Sequence, residues 1–419
     1  NKENNVFQLV VQYGAGEREF PKLGYAAQLM NNAGIMGAYE PQELKEELSK
    51  LNATCHVTAD DDNLYIIMEG YEATLPQACQ LLSRQILMPK LDEKQLARLK
   101  GSAMGMRQQR KDNVSILNEA LRQYMLYGEK SDYIKELTDK EIYELQISEL
   151  TGDINRASNY EAKVFFTGTL PFDQVYDILS KNLPLVANER PSNSPQAKDM
   201  MPVTENTVYF LPNNDAEQAQ IHLYIPMQKA DKKDDVLRSA FNQYFGLDFT
   251  GIVLNEIREK RSMAYTAYAF VGTQGIAGKA SYLRGYIGTQ NDKANDALDV
   301  LMGLVNDMPK NPERIDNIKS YLRQAMLTSH PSFRNKAMEL VDLGYRGYTD
   351  DPAKENLPKV DALTFDDIVK FYEENIKDKP YCISIMGNPK NIDLKRLEKF
   401  GKVVKLNERK LFKTKDALF

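Results

Sequence analysis

The chain has 419 residues, of which 42% are apolar, and its net charge is −5. Domains commonly contain about 100–200 residues, so the length predicts more than one of them. The acidic balance argues against a nucleic-acid partner, which needs a basic face, and no apolar run reaches the roughly 18–20 residues that span a bilayer.

The first half of the chain alternates between strand and helix patterns. An alternating strand at residues 7–13 is followed by the helix pattern "LGYAAQLMNNAG", a second helix, and the hairpin "LNATCHVTADDDNLYIIMEGY". Two amphipathic helices come next, "ATLPQACQLLSRQI" and "DEKQLARLKGSAMGMRQQR". A further helix is followed by the strand "KVFFTG", which ends at a glycine, and then by a last helix.

The same order of elements returns about 215 residues later, from the strand "AQIHLYI" to the strand "CISIMG". The repeat predicts two homologous α+β domains at residues 1–187 and 204–419. Residues 188–203 contain three prolines without periodicity, which is typical of a linker. Hairpins separated by helices predict that each domain has a mostly antiparallel sheet with helices packed on one face.

The second copy begins with an additional strand, "TVYFLP" at residues 207–212, for which the first copy has no counterpart. We therefore expect one of two situations. Either the chain is a fragment of a longer polypeptide, or the missing first strand is donated from elsewhere.

The stretch "LNEIREKRSMAYTAY", residues 254–268, changes from a charged helix end to a strand. On residue type alone, Arg258 belongs to a solvated helix face and Tyr265 is an ordinary strand aromatic. This stretch and the repeat resemble the insulinase/pitrilysin-type zinc peptidases, also called inverzincins, whose relatives include the mitochondrial processing peptidase. The resemblance implies a processing-peptidase-like metallohydrolase fold whose halves close like a clamshell. It also implies that Arg258 and Tyr265 bind substrate near the scissile bond.

The zinc of that family is bound on an H-x-x-E-H helix, where two histidines are ligands and the glutamate is the general base. When the first helix of this chain is aligned with it, these positions hold Ala27, Met30 and Asn31. The glutamate that is the third ligand would fall near residues 103–106, where no acidic residue occurs. We therefore predict that this chain binds no metal and that zinc lies in a partner half. That half is either a separate subunit or the preceding part of the same polypeptide.

The resemblance thus implies the metal-free half of a zinc endopeptidase, inactive alone, which binds peptide substrates beside a zinc-bearing half. A non-catalytic scaffold of the same fold is an alternative, although it would not require the arginine–tyrosine pair. A free-standing peptide-binding module is a third possibility, because fold alone does not decide function. For location we favour the bacterial periplasm or cell envelope, with the cytoplasm as the alternative.

Overall fold

The structure is a computed structural model that describes residues 4–110, 113–183, 190–193, 195–246 and 250–412. Two β-sheets with helices packed against them confirm the predicted α+β class. Parts of the predicted linker, residues 188, 189 and 194, lie outside the described residues. The domain boundaries at residues 187 and 204 stay a prediction.

The first half folds around an antiparallel sheet, and its predicted elements occur in the predicted order, with two short strands and additional helices between them. The strands are β1 Val6–Tyr13, β2 Gly34–Ile35, β3 Thr54–Ala59, β4 Leu64–Tyr71, β5 Pro89–Lys90 and β6 Ala162–Thr167. The helices are α1 Leu23–Met30, α2 Pro41–Lys50, α3 Leu75–Leu87, α4 Glu93–Gln108, α5 Val114–Tyr127, α6 Asp132–Lys135, α7 Asp139–Tyr143, α8 Ile147–Ala157 and α9 Phe172–Asn182. In the described residues the sheet order is β3-β4-β1-β6, and β2 pairs with β5 separately.

The second half has a larger, mixed sheet. Its strands are β7 Thr207–Pro212, β8 Gln218–Lys229, β9 Ala264–Thr273, β10 Ala280–Gln290, β11 Cys382–Gly387 and β12 Lys402–Lys405. Its helices are α10 Asp235–Phe245, α11 Ile252–Leu254, α12 Ala294–Asn306, α13 Ile315–Thr328, α14 Lys336–Tyr345, α15 Pro352–Ala362, α16 Phe365–Asn375 and α17 Leu394–Leu397. The sheet order is β12-β7-β11-β8-β10-β9, in which β7 runs parallel to both of its neighbours.

The two sheets repeat one arrangement, since β9-β10-β8-β11 corresponds to β3-β4-β1-β6. Their registers agree as well, because Phe166 of β6 lies opposite Leu9 just as Ile385 of β11 lies opposite Ile221. The additional strand β7 and the strand β12 have no counterpart among the described strands of the first sheet. As a result, β6 is an edge strand whereas β11 is a central one.

Each half also sends one helix across to the sheet of the other half. Helix α5 packs on β8 and β11, where Leu117 meets Leu211 and Met386. Helix α14 packs on β6, and its Ala337 meets Val10 of the first sheet. The sequence predicted helices on one face of each sheet, and the helix from the other half covers part of the second face.

The described part of the predicted linker contacts both halves. Arg190 pairs with Tyr160 of the first half, and the amide of Met201 donates to the carbonyl oxygen of Leu126 at 2.7 Å. From the second half, the side chain of Gln274 donates to the backbone oxygen of Lys198. These residues are therefore held in place by hydrogen bonds, although their sequence is typical of a free spacer.

Candidate functional site

The turn between the helix and the strand of the predicted site has an irregular backbone. Helix α11 continues into a π-helical turn, Asn255–Glu259, in which the amide of Lys260 donates to the carbonyl oxygen of Asn255 at 2.9 Å. Ser262 then adopts a left-handed conformation with φ of 48°, and β9 begins two residues later. Both π turns and left-handed non-glycine residues are uncommon and concentrate at functional sites.

Tyr265 lies at a β-bulge on edge strand β9. Ala264 pairs with Thr289 and Thr266 pairs with Gly288, so that Tyr265 is the extra residue between two paired ones. A bulge bends the strand locally and re-aims the side chain of the extra residue. Here the side chain of Tyr265 is directed into solvent, with 78% of the residue exposed.

The structure brings the two predicted residues together. The guanidinium carbon Cζ of Arg258 lies 5.0 Å from the centre of the Tyr265 ring, a distance at which a cation–π interaction stabilises the pair. The Arg258 side chain is 34% exposed, and its Nε lies 3.4 Å from the carboxylate of Glu259. The turn therefore presents a guanidinium and a phenol side by side at the surface.

The other cations of this turn are neutralised by one carboxylate. Lys260 lies 2.6 Å from Glu256, and Arg261 binds the same carboxylate. Hydrogen bonds from Lys260 and Arg261 lower the pKa of Glu256. Among the described residues, the terminal nitrogens of Arg258 have no hydrogen-bond partner, so its donors and the phenol are available to bind a carbonyl oxygen.

The three degenerate zinc-motif positions have structural roles. Ala27 and Met30 are buried in the core of the first half. The side chain of Asn31 binds the edge strand β3, because its Oδ1 accepts from the amide of Val57 at 2.7 Å and its Nδ2 donates to the carbonyl oxygen of Val57 at 2.8 Å. Main-chain groups that an added strand would use are thus already paired at this point.

An asparagine binds the edge strand of the second half in the same way. Asn242 of α10 accepts from the amide of Val271 at 2.6 Å and donates to its carbonyl oxygen at 3.0 Å. Sequence reasoning treated Asn31 only as a lost metal ligand and did not identify Asn242. The available signal was an asparagine in the first long helix pattern of each copy.

The metal-ligating residue types are scattered in space. Within the described ranges, no three His, Cys, Asp or Glu side chains are grouped so as to hold a metal ion. His222 is buried, its ring Nε2 lies 3.1 Å from Oδ1 of Asn118, and burial together with Arg284 and Arg122 lowers its pKa to about 3. Where the third ligand would fall, Ala103 is buried in the core. No helix in the described residues has the length and apolarity required to cross a membrane.

One protein-family model matches part of the chain, and several solved structures share its fold. Residues 158–322 match the family described as the peptidase M16 inactive domain. The M16 inactive domain from Pseudomonas fluorescens has a TM-score of 0.73 at 16% identity, over 94% of this chain and 95% of that one. The periplasmic protease PqqL from Escherichia coli has a TM-score of 0.71 at 13% identity, over 92% of this chain and 43% of that one. A mutant of the ferredoxin protease FusC in complex with Arabidopsis ferredoxin has a TM-score of 0.73 at 12% identity, over 92% and 42%. No curated protein matches the sequence significantly.

The chain spans less than half of the length of PqqL and of FusC. The matched residues contain both Arg258 and Tyr265 but not the first helix, Leu23–Met30. These matches confirm the resemblance on which the sequence interpretation rests. Residues 158–322 therefore match the peptidase M16 inactive-domain family, and the chain as a whole has the fold of the solved M16 inactive domain from Pseudomonas fluorescens.

Proposed function

We propose that this chain is the metal-free half of an M16-type zinc endopeptidase and forms one wall of a clamshell that binds peptides. The chain alone is inactive, and the zinc belongs to an H-x-x-E-H half that is a separate subunit or the preceding part of the same polypeptide. The observation that carries the proposal is the surface pair of Arg258 and Tyr265, in which Cζ of the half-buried arginine lies 5.0 Å from the ring centre of the exposed tyrosine, across a π turn and a β-bulge.

The chemistry of peptide hydrolysis suits this pair. Attack on the scissile bond develops negative charge on the carbonyl oxygen, and donors already directed at that oxygen stabilise the transition state. The guanidinium of Arg258 and the phenol of Tyr265 both donate without having to change protonation state. The pair positions the substrate carbonyl, while the zinc half activates the attacking water.

The relatives support a peptide or small-protein substrate and a periplasmic location. A mutant of the ferredoxin protease FusC has been solved in complex with Arabidopsis ferredoxin, and PqqL is a periplasmic protease. We carry both properties over as part of the proposal, and the cytoplasm is the alternative location. Each is tested by identifying the substrate and the compartment of the whole protein.

The alternative is a non-catalytic scaffold or a peptide-binding subunit of the same fold. A scaffold has no need for unpaired donors on an exposed turn, so the Arg258–Tyr265 arrangement favours the peptidase. A peptide-binding subunit would use the pair for affinity rather than for rate. The two functions differ in whether loss of the pair changes turnover or only binding.

The test compares Arg258→Ala and Tyr265→Phe with the unmodified chain, in the full-length polypeptide or together with the zinc half. Removing one transition-state donor should lower turnover of a quenched peptide by about a hundredfold. Arg258→Lys should restore little, because a lysine lacks the planar fork. Melting temperatures should stay within about 2 °C, since neither side chain fills the core.

Arg261→Ala is the matched control, because Arg261 lies on the same turn but is bound to Glu256. It should leave turnover unchanged. Wild-type turnover in both Arg258→Ala and Tyr265→Phe would refute the peptidase role. Weakened peptide binding with unchanged turnover at saturation would support the binding subunit instead.

A further inference from the structure

Strand β6 and its counterpart β11 differ in the number of neighbours they have. Strand β11 lies between β7 and β8, and all of its residues are buried. Within the described residues, β6 is hydrogen-bonded to β1 alone. Val164 of β6 is 37% exposed, whereas Ile383, at the same register position of β11, is 0% exposed.

The second sheet shows what occupies the corresponding place. There Val208 of β7 pairs with Ile383, and the pairing is parallel along the whole of β11. A strand placed beside β6 in the same way would cover Val164 and Phe166. Such a strand would also form hydrogen bonds with the outward main-chain N–H and C=O groups of β6. On an apolar edge strand these groups are otherwise available to pair with another chain.

The helical segments that follow β6 and β11 differ in how much of their apolar surface is covered. In the second half, Leu397 of α17 and Phe400 of the turn Glu398–Phe400 are buried, and this turn contacts β7. In the first half, helix α9 leaves Phe172 and Tyr176 exposed, and their rings stack at 6.2 Å. Apolar surface is therefore uncovered on the helix after β6 as well as on β6 itself.

We infer that the edge of β6 is an acceptor site for an extended segment of about six residues, apolar at alternate positions, that runs parallel to β6 and is contributed by the zinc-bearing half. The source of the segment rests on the proposed function, whereas the site itself rests on the comparison of β6 with β11. A second copy of the chain fits poorly, because two-fold pairing of β6 with itself would be antiparallel. A substrate fits poorly as well, because its release would expose the apolar edge in every cycle.

One experiment supplies the strand of the second half as a probe. The sequence TVYFLP of β7 is fused ahead of the first residue, since five residues join β7 to β8 and five also precede Val6. Amide exchange in β6 should slow by at least about tenfold, as expected when an edge strand becomes a central one. The melting temperature should rise by about 5 °C.

The control fusion has proline at alternate positions, which removes ladder donors and should give neither effect. Exchange in β11 should be the same in every variant, because its neighbours are already present. An unprotected β6 in the TVYFLP fusion would overturn the acceptor site.

The second experiment compares exchange in the isolated chain with exchange in the protein that contains the zinc half. Protection of β6 only in the latter is the expected result. Protection in the isolated chain together with a dimeric mass would assign the edge to a second copy and overturn the inference. Exchange does not depend on turnover, so a failure of the Arg258 and Tyr265 test leaves this result intact, and the reverse also holds.

Discussion

The two sheets share their strand order and register, yet they differ at one edge. Residues 163–168, "KVFFTG", contain three apolar side chains, and residues 382–387, "CISIMG", contain four. Only the second segment is buried along its whole length, because β7 lies beside it. The burial of a strand therefore depends on its neighbours in the sheet as well as on its own composition.

The outer face of each sheet is the face on which a helix from the other half packs, and the polar contacts at the two outer faces differ. Under α5, the ring of His222 lies against Asn118 of the other half. Under α14, the hydroxyl of Tyr345 accepts from Gln12 at 3.1 Å and from Asn63 at 3.2 Å. In both places a buried polar group of a sheet is paired with a helix from the other half, so each half supplies a hydrogen-bond partner to the other.

The largest expected effect is a difference in the loss of stability between matched variants of β11 and β6. Ile383→Ala should lower the free energy of unfolding by about 3 kcal/mol, because it leaves a cavity in a fully buried strand. Val164→Ala should lower it by less than about 1 kcal/mol, because much of that side chain is already in water. Urea unfolding followed by circular dichroism measures both. Equal losses would contradict the difference between the two edges.

The second prediction concerns pH and the outer face of the second sheet. The pKa of His222 is lowered from its ordinary 6.5 to about 3 in the folded chain. Between these values the unfolded chain binds more protons, so the contribution of neutral His222 is complete above pH 6.5 and is lost as the pH falls towards 3. The loss should approach about 1.4 kcal/mol per pH unit, or about 2 kcal/mol at pH 5.

Urea midpoints at pH 7.5 and pH 5 test this dependence. His222→Gln keeps an amide donor for Asn118 but does not titrate, so its midpoint should change less with pH. His56→Gln is the control, because His56 is an exposed residue on the edge strand β3. An unchanged pH dependence in His222→Gln would show that other groups cause the acid sensitivity.

The third prediction concerns the two asparagines that bind the edge strands β3 and β9 in the same way. Asn31→Ala and Asn242→Ala should each cost about 1–2 kcal/mol of stability, since each leaves the amide and carbonyl of one edge residue unpaired. Amide exchange should rise at Val57 in the first variant and at Val271 in the second. Asn32→Ala is the control, because the side chain of Asn32 donates to the carbonyl oxygen of Gln28 in the preceding helix α1 rather than to the edge strand. A stable Asn31→Ala variant would mean that water replaces this contact without cost.

The smallest expected effect is that of zinc. Ala27, Met30 and Asn31 offer no ligand set, so adding zinc should leave the melting temperature of the isolated chain unchanged. Elemental analysis after dialysis should find no stoichiometric metal. One retained zinc per chain would refute the assignment of the metal to a partner half.

Several features were readable from the sequence because they depend on local periodicity. The period of each apolar pattern predicted the order of strands and helices in both copies, and their similarity predicted two sheets of one arrangement. The segment at residues 207–212 stood out as an additional strand because nothing in the first copy matched it. Arg258 and Tyr265 were singled out only through the resemblance to a known family, and their role stays a proposal.

Other features were decided only by the tertiary structure, because they depend on which distant surfaces meet. The contact between Arg258 and Tyr265 requires a π turn and a bulge, and neither has a local sequence pattern. Helices α5 and α14 each pack on the sheet of the other half, which brings into contact residues more than a hundred positions apart, such as His222 and Asn118. The binding of Val57 by Asn31 likewise joins a helix end to a strand that follows it only after another helix. A sequence pattern specifies that a face is to be buried, but the element that covers it is selected by packing over the whole chain.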